Sequence, residues 1–464
     1  MKITPIGAAR TVTGSMYLIE FKGHKLLLDA GLFQGEKHIE ELNESPFPFD
    51  PREIEKIIIT HGHLDHIGML PRLVREGFEG EIISTATTRD IAGIMLLDAA
   101  HIQEEEARAS KKRYERRGIE PREPLNTVED ALLTMGFFRK TLKYGEEAEL
   151  YPDFKIVFRD AGHILGSVFV EITARENGRD LKITFSGDLG NVDKPIVRDP
   201  ESPKLKDSDY LFIESTYGDR EHKSAEESVA ELKQAILNTL ERGGNAIIPT
   251  FALERAQDIL YYFRELVEIG ELSDLNVFLD SPLAISATRI FRAHPECYDD
   301  EARELLKRHR DPFTFPGVHF TRSVEASRAI NNIKKGAIIM AGSGMCTGGR
   351  VKHHLKHNLW RKECSVIFVG YQAKGTLGRK IVDGAKEVEI YGEVISVNAE
   401  IYTINGFSAH AGRDTLLDWA SHFHKDTTIF TMHGEESSIE ALGRSLSELG
   451  YKTHAPQRLE TLEL

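Results

Sequence analysis

The stretch His61-Gly62-His63-Leu64-Asp65-His66 constrains this 464-residue chain more than any other. It follows Ile57-Ile58-Ile59, an apolar run that reads as a buried strand. Three imidazoles and a carboxylate are therefore crowded into one loop at a strand's end. His61 and His63 can turn their rings toward one ion, and Asp65 and His66 can face a second. Imidazole nitrogen and carboxylate oxygen are the donors of catalytic zinc. Two ions roughly 3.5–4 Å apart would clamp both oxygens of a displaced phosphate ester. The competing reading is a solvated His-rich surface loop, and the density of the cluster argues against it.

A catalytic zinc needs about three protein ligands and a water, so more donors are expected elsewhere. His163 sits in Ala161-Gly162-His163-Ile164-Leu165-Gly166, between the apolar runs Ile156–Phe158 and Val168–Val170. Asp188 sits in Ser186-Gly187-Asp188-Leu189-Gly190, after Leu181–Phe185. His433 follows Thr427-Thr428-Ile429-Phe430, in Thr431-Met432-His433-Gly434. A lone His after a strand is usually structural. The recurrence of His or Asp at strand ends, with glycines that let backbone and ligand crowd together, favours a shared site. One carboxylate, Asp188, can bridge two ions.

These motifs resemble the metallo-β-lactamase superfamily. Asp29, the 61–66 loop, His163 and Asp188 match its four successive motifs. Glu214 in Phe212-Ile213-Glu214-Ser215-Thr216-Tyr217-Gly218, His410 in Phe407-Ser408-Ala409-His410, and His433 look like the further motifs of its β-CASP branch. The resemblance runs along essentially the whole chain. It is strongest to prokaryotic ribonucleases related to the nuclease subunit of the mRNA cleavage and polyadenylation factor. It implies that His61, His63, His163 and Asp188 hold one Zn2+, and that Asp65, His66, Asp188 and His433 hold another. It implies that Asp29 steadies the ligand rings from behind, and that His410, paired with Glu214, protonates the leaving oxygen. The implied catalytic set is His410, Glu214, Asp65 and Asp188.

Composition sets bounds. Net charge is −14, which argues against a generally basic nucleic-acid surface. It does not exclude a local basic groove, and bound metal adds positive charge that residue counts omit. Cys297, Cys346 and Cys364 are scattered, so neither a disulfide framework nor a Cys zinc site is indicated. A reducing, cytoplasmic setting fits. No signal peptide is apparent at Met1–Gly7, and no run approaches the ~20 apolar residues of a membrane span.

The first ~60 residues read as short strands, Met16–Phe21, Lys25–Asp29 and Ile54–Thr60. A charged helix is expected from Ile91 to about Arg117, with His101 on its face, then a loop over Gly118–Pro124. Strands resume over about Lys155–Ser186 and at Tyr210–Glu214. After Gly218, strands and helices alternate. Helices are expected near 224–242, 253–267, 283–294, 323–334 and after Gly348. Strands are expected at Ala246–Pro249, Val277–Asp280, Val318–Thr321, Ala337–Ala341 and Ser365–Val369. Such alternation predicts βαβ units on a parallel sheet. Because His410 and His433 lie beyond this block, the chain must return to its first domain. The expected class is α/β: an αββα sandwich of residues 1–208 and 395–464, with a parallel-sheet β-CASP domain inserted at 209–394. The active site is expected in a cleft between the two.

Three strand-to-helix junctions in the insertion suit phosphate. Ala341–Arg350 is Gly-rich and includes Ser343 and Gly344, but it is not a Walker loop. Tyr371–Lys380 combines Gly and the hydroxyl of Thr376 with Lys374 and Arg379. Thr250–Arg255 ends on Arg255. Singly each reads as well as a plain turn; together they suggest an RNA track. The expected protein is a zinc-dependent ribonuclease, with endonuclease and 5′–3′ exonuclease modes both allowed and a homodimer compatible. Its reaction would be in-line hydrolysis, leaving a 5′-phosphate and a 3′-hydroxyl. A small-ester hydrolase is disfavoured by the insertion and its basic junctions. A DNA nuclease of the same branch is disfavoured by His433, where such relatives tend to carry an apolar residue. A non-catalytic RNA-binding subunit is disfavoured because every ligand is present.

Overall fold

Strand Phe154–Asp160 buries Phe154, Ile156, Phe158 and Asp160 and leaves the residues between them more exposed. A period of two puts those four on one face of a sheet. The computed structural model describes residues 1–116, 118–121, 123–176 and 178–464, without the side chains of Lys112 and Arg113. Arg122, in the loop expected over Gly118–Pro124, lies outside the described residues. The chain divides into two compact units. The first holds Met1–Val192, Asp199–Glu221 and His410–Leu464; the second holds Asp193–Arg198 and His222–Ala409.

Two seven-stranded sheets form the first unit. One runs Leu462–Glu463, Lys2–Pro5, Tyr17–Phe21, His24–Leu28, Lys56–Ile58, Glu81–Ser84 and Lys140–Thr141 in spatial order. The other runs Lys452–His454, Thr428–Met432, Tyr210–Glu214, Arg179–Phe185, Val168–Glu176, Phe154–Asp160 and Glu147–Tyr151. Their inner faces share one apolar core. Tyr17 meets Phe185 edge-on at 5.3 Å and Phe21 meets Phe154 at 5.3 Å between ring centres. Each such buried aromatic contributes on the order of 1.5–3 kcal/mol relative to exposure.

Helices cover both outer faces. Leu70, Leu73, Ala92, Leu96 and Ala131 pack on Leu27, Ile57 and Ile82 of the first sheet. Leu416, Trp419, Leu442 and Leu446 pack on Leu211, Ile213 and Ile429 of the second. The layers are therefore αββα. The charged helix spans Ala86–Arg116 and begins earlier than the apolar period suggests. The Thr85 hydroxyl accepts from the Thr88 amide at 3.0 Å and starts it. His101 lies exposed on this helix, 3.5 Å from Glu105.

The second unit carries a six-stranded parallel sheet, ordered Val318–Phe320, Val277–Leu279, Ile338–Ala341, Ala246–Pro249, Ser365–Phe368 and Glu400–Thr403. Helix Ala225–Glu241 opens on a capping box in which Ser224 accepts from the Glu227 amide and Glu227 returns the bond. The alternation expected from the sequence is present. Helix Asp300–Lys307, the hairpin Glu387–Ile390/Glu393–Ser396 and the last strand Glu400–Thr403 come in addition. Tyr210–Glu214, which a sequence boundary at 209 would assign to the insertion, pairs on both sides within the first unit. Among the described residues no helix is long and apolar enough to cross a membrane.

Candidate metal centre

Strand Lys56–Ile58 delivers the chain to Thr60, and the segment Leu64–Ile67 turns once as helix. Gly62 is required there, because a Cβ would come 2.4 Å from Ile91 Cγ2. His163 is held by a tight loop in which the Ser167 hydroxyl accepts from the His163 amide at 3.1 Å. Asp188 follows strand Arg179–Phe185 through Gly187, whose φ of 52° lies in the left-handed region. His433 follows strand Thr428–Met432 and itself has φ 48°, uncommon for a side chain with a Cβ. Its amide donates to Ala8 O at 2.7 Å and its carbonyl accepts from Ser215 N at 3.1 Å, which hold that conformation.

His61, His63, His163 and Asp188 present donor atoms within 4.8 Å of one another, and Asp65, His66 and His433 do the same. Asp188 stands between these groups. Its Oδ2 lies 3.5 Å from His61 Nε2 and 3.6 Å from His163 Nε2. Its Oδ1 lies 3.4 Å from His66 Nε2 and 3.5 Å from His433 Nε2. His433 Nε2 is also 3.6 Å from Asp65 Oδ2.

Behind the rings, hydrogen bonds set their tautomers. His66 Nδ1 donates to Asp29 Oδ2 at 2.7 Å, which leaves Nε2 facing Asp188 Oδ1. Asp29 also accepts from the Thr60 amide at 2.8 Å and from the Thr60 hydroxyl. Thr60 Oγ1 is 3.1 Å from His61 Nδ1, and Thr216 Oγ1 is 3.2 Å from His433 Nδ1. Neither threonine stands out in the sequence. Their only signal is adjacency, Thr60 to His61 and Thr216 within the Glu214 motif.

Burial pushes the pKa of His61 and His163 well below the usual imidazole range, and that of His63 down to about 4. These rings are neutral and can offer lone pairs. Burial disfavours the Asp188 charge, but His433 and His66 outweigh it and hold its carboxyl well below the usual carboxylate range. His66 moves the other way: burial opposes its charge, and Asp188 and Asp29 more than compensate.

The donor set fits a divalent cation. His61 Nε2 and Asp188 Oδ1 are buried with no hydrogen-bond partner, a costly state without a positive charge nearby. Nε2 of His66 and of His433 face each other at 3.3 Å, as do His163 Nε2 and His63 Nδ1 at 3.2 Å. Converging nitrogens at such distances suit a shared cation better than a shared proton.

His410 adjoins this cluster. Its Nδ1 is 3.2 Å from both oxygens of Glu214 and 3.9 Å from Asp188 Oδ2. Glu214 is buried and accepts from the Leu189 amide at 2.7 Å and the Thr216 amide at 3.3 Å. Burial works against the charged imidazole, yet Glu214 prevails and the His410 pKa is raised to about 9.

The phosphate candidates lie in the second unit and do not form one set. Ser343 Oγ accepts from the amides of Thr347 at 3.0 Å and Gly348 at 3.3 Å, which folds the Gly-rich loop on itself. Gly344 is tied by its carbonyl to Gln372 Nε2 at 3.0 Å. Thr376 caps helix Leu377–Val382, and Arg379 pairs with Asp383 at 2.8 Å. Lys374 is exposed. Arg255 is turned inward, only 8 % exposed and 3.3 Å from Asp258, with its guanidinium 5.9 Å from the Phe407 ring. It does not join the surface cations.

The sequence matches the metallo-beta-lactamase superfamily over residues 9–237, the Beta-Casp domain over 256–381 and the Zn-dependent metallo-hydrolase RNA specificity domain over 394–456. It is 38 % identical to Ribonuclease TTHA0252 of Thermus thermophilus, over 97 % of each chain. It is 33 % identical to the Transcription termination factor FttA of Pyrococcus horikoshii, over 100 % of this chain and 71 % of that one. The factor of the same name from Methanosarcina mazei is 30 % identical, over 100 % and 72 %. A solved protein of unknown function from Enterococcus faecalis V583 shares the fold, with a TM-score of 0.56 at 13 % identity over 100 % and 99 % of the two chains.

Proposed function

The chain belongs to the metallo-β-lactamase superfamily, in its β-CASP branch, and from this we propose a zinc-dependent ribonuclease with two ions per chain. The observation that carries the reading is Asp188, one oxygen turned to His61 and His163 and the other to His66 and His433. His61, His63, His163 and Asp188 would hold one ion; Asp65, His66, Asp188 and His433 would hold the other. Bound there, such ions supply Lewis acidity toward a phosphodiester and a more acidic attacking water.

The chain's own residues do the rest. Asp29, Thr60 and Thr216 face the Nδ1 atoms of His66, His61 and His433 and leave Nε2 of those rings toward the centre. Glu214, itself pinned by two amides, accepts from His410 Nδ1 and stabilises the charged ring. His410 is then a proton donor toward the leaving 3′ oxygen rather than a ligand. A 5′-phosphate and a 3′-hydroxyl result. Ser343, Gly344, Lys374, Thr376 and Arg379 are proposed to contact the RNA backbone. The insertion of the β-CASP unit, a cytoplasmic location and a homodimer belong to the same proposal.

Hydrolysis of RNA, DNA and bis-nitrophenyl phosphate, measured side by side on zinc-reconstituted protein, tests it. Preferential cleavage of RNA to 5′-phosphate ends is expected. DNA cleaved as readily as RNA, or the small diester alone, overturns it.

A further inference from the structure

Two aromatic rings in the second unit stand in solvent where a parallel sheet normally keeps its ligand side. Phe251 follows strand Ala246–Pro249 and is 42 % exposed. Tyr371 follows strand Ser365–Phe368 and is 50 % exposed. These strands pair in parallel, so both rings leave by the same, C-terminal edge of the sheet. Ligands of open α/β sheets bind outside that edge.

A single exposed ring is ordinary. Phe251 differs because the chain has built a seat for it. A Cβ on Gly344 would come 2.9 Å from both Cδ2 and Cε2 of the ring, so a larger residue there would have to displace it. A Cβ on Gly370 would lie 3.5 Å from Cε2. The buried Gln372 side chain donates from Nε2 to the carbonyls of both glycines at 3.0 Å, clasping the loops that carry them. The ring thus lies over the backbone of two glycines, with much of its surface left wet. Lys374 and Arg379 come just after Tyr371, so the surroundings suit a polyanion.

We propose that Phe251 and Tyr371 are base-stacking residues for single-stranded RNA, a role that rests on the ribonuclease reading. Unpaired bases offer a π face whatever their identity, and aromatic rings beside cations are how proteins hold such strands. The rings would read the presence of a base, while Lys374 and the Gly-rich loop meet its phosphates.

The test separates base from backbone. Binding of labelled oligo(A) and of an abasic ribose-phosphate oligomer of equal length is measured by anisotropy on zinc-loaded protein carrying His410→Ala to suppress cleavage. Phe251→Leu and Tyr371→Leu should each weaken oligo(A) binding about 5- to 100-fold. Abasic binding and the salt dependence should stay as in the parent. Phe251→Trp should restore oligo(A) affinity, and its added fluorescence should be quenched by oligo(A) and not by the abasic strand. Equal loss on both oligomers, or none on either, overturns the stacking role, as does an unquenched Phe251→Trp. If the chain with His410 intact cleaves RNA while Phe251→Leu binds oligo(A) normally, the stacking role alone falls. If that chain neither binds nor cleaves RNA, the ribonuclease reading falls with it.

Discussion

His410 Nδ1 lies 3.2 Å from each oxygen of Glu214 and 3.9 Å from Asp188 Oδ2. A ring committed on one nitrogen to a buried carboxylate, and charged, is suited to give a proton. His410→Ala should therefore lower turnover by roughly 10²–10⁴-fold with metal content intact. Parallel activity and elemental assays check this. Metal lost together with activity would make His410 a ligand.

Asp188 faces both groups of candidate ligands, so its loss should be the most damaging change among them. Wild-type protein reconstituted with zinc should carry about two ions per chain, and Asp188→Ala fewer than about one. Elemental analysis after dialysis decides it. A stoichiometry near one in the wild type would sink the paired-ion reading.

Lys374 and Arg255 look alike in sequence and should behave oppositely. Lys374→Ala should reduce the salt slope of RNA binding by about one and spare bis-nitrophenyl phosphate hydrolysis. Arg255→Ala removes a hydrogen-bonding partner of the buried Asp258 carboxylate and should cost up to about 3–5 kcal/mol of stability. Denaturant unfolding of both variants tells them apart, and an undamaged Arg255→Ala would contradict its inward placement.

Asp280 offers a pH test remote from the metal ligands. Burial disfavours its charge, but hydrogen bonds from His354 and Ser327 at 2.6 Å and from Arg350 at 2.6 Å hold its pKa below the usual carboxylate value. A depressed folded pKa stabilises the protein above the unfolded value of about 3.9 and ceases to do so as pH falls through the lower folded one. Asp280→Asn should thus be less stable than wild type at neutral pH, and the gap should narrow in acid. A gap independent of pH would mean that the side chain matters only for packing.

The sequence determined the candidate ligands and the two textures of the chain. The 61–66 loop, His163, Asp188 and His433 were legible because each sits where an apolar run stops, and a strand's end is a local pattern. The alternation beyond Gly218 was legible for the same reason, since periodicity is carried by neighbours along the chain. Only the tertiary structure decided what depends on partners distant in sequence. Strand Tyr210–Glu214 joins the first unit because Arg179–Phe185 and Thr428–Met432 flank it. Arg255 is buried while Lys374 is wet, a difference that packing makes and residue type does not. Thr60 and Thr216 count because their hydroxyls meet imidazoles, and Phe251 because two glycines from other loops lie under its ring. Such roles arise from close approach in three dimensions, which no spacing along the chain encodes.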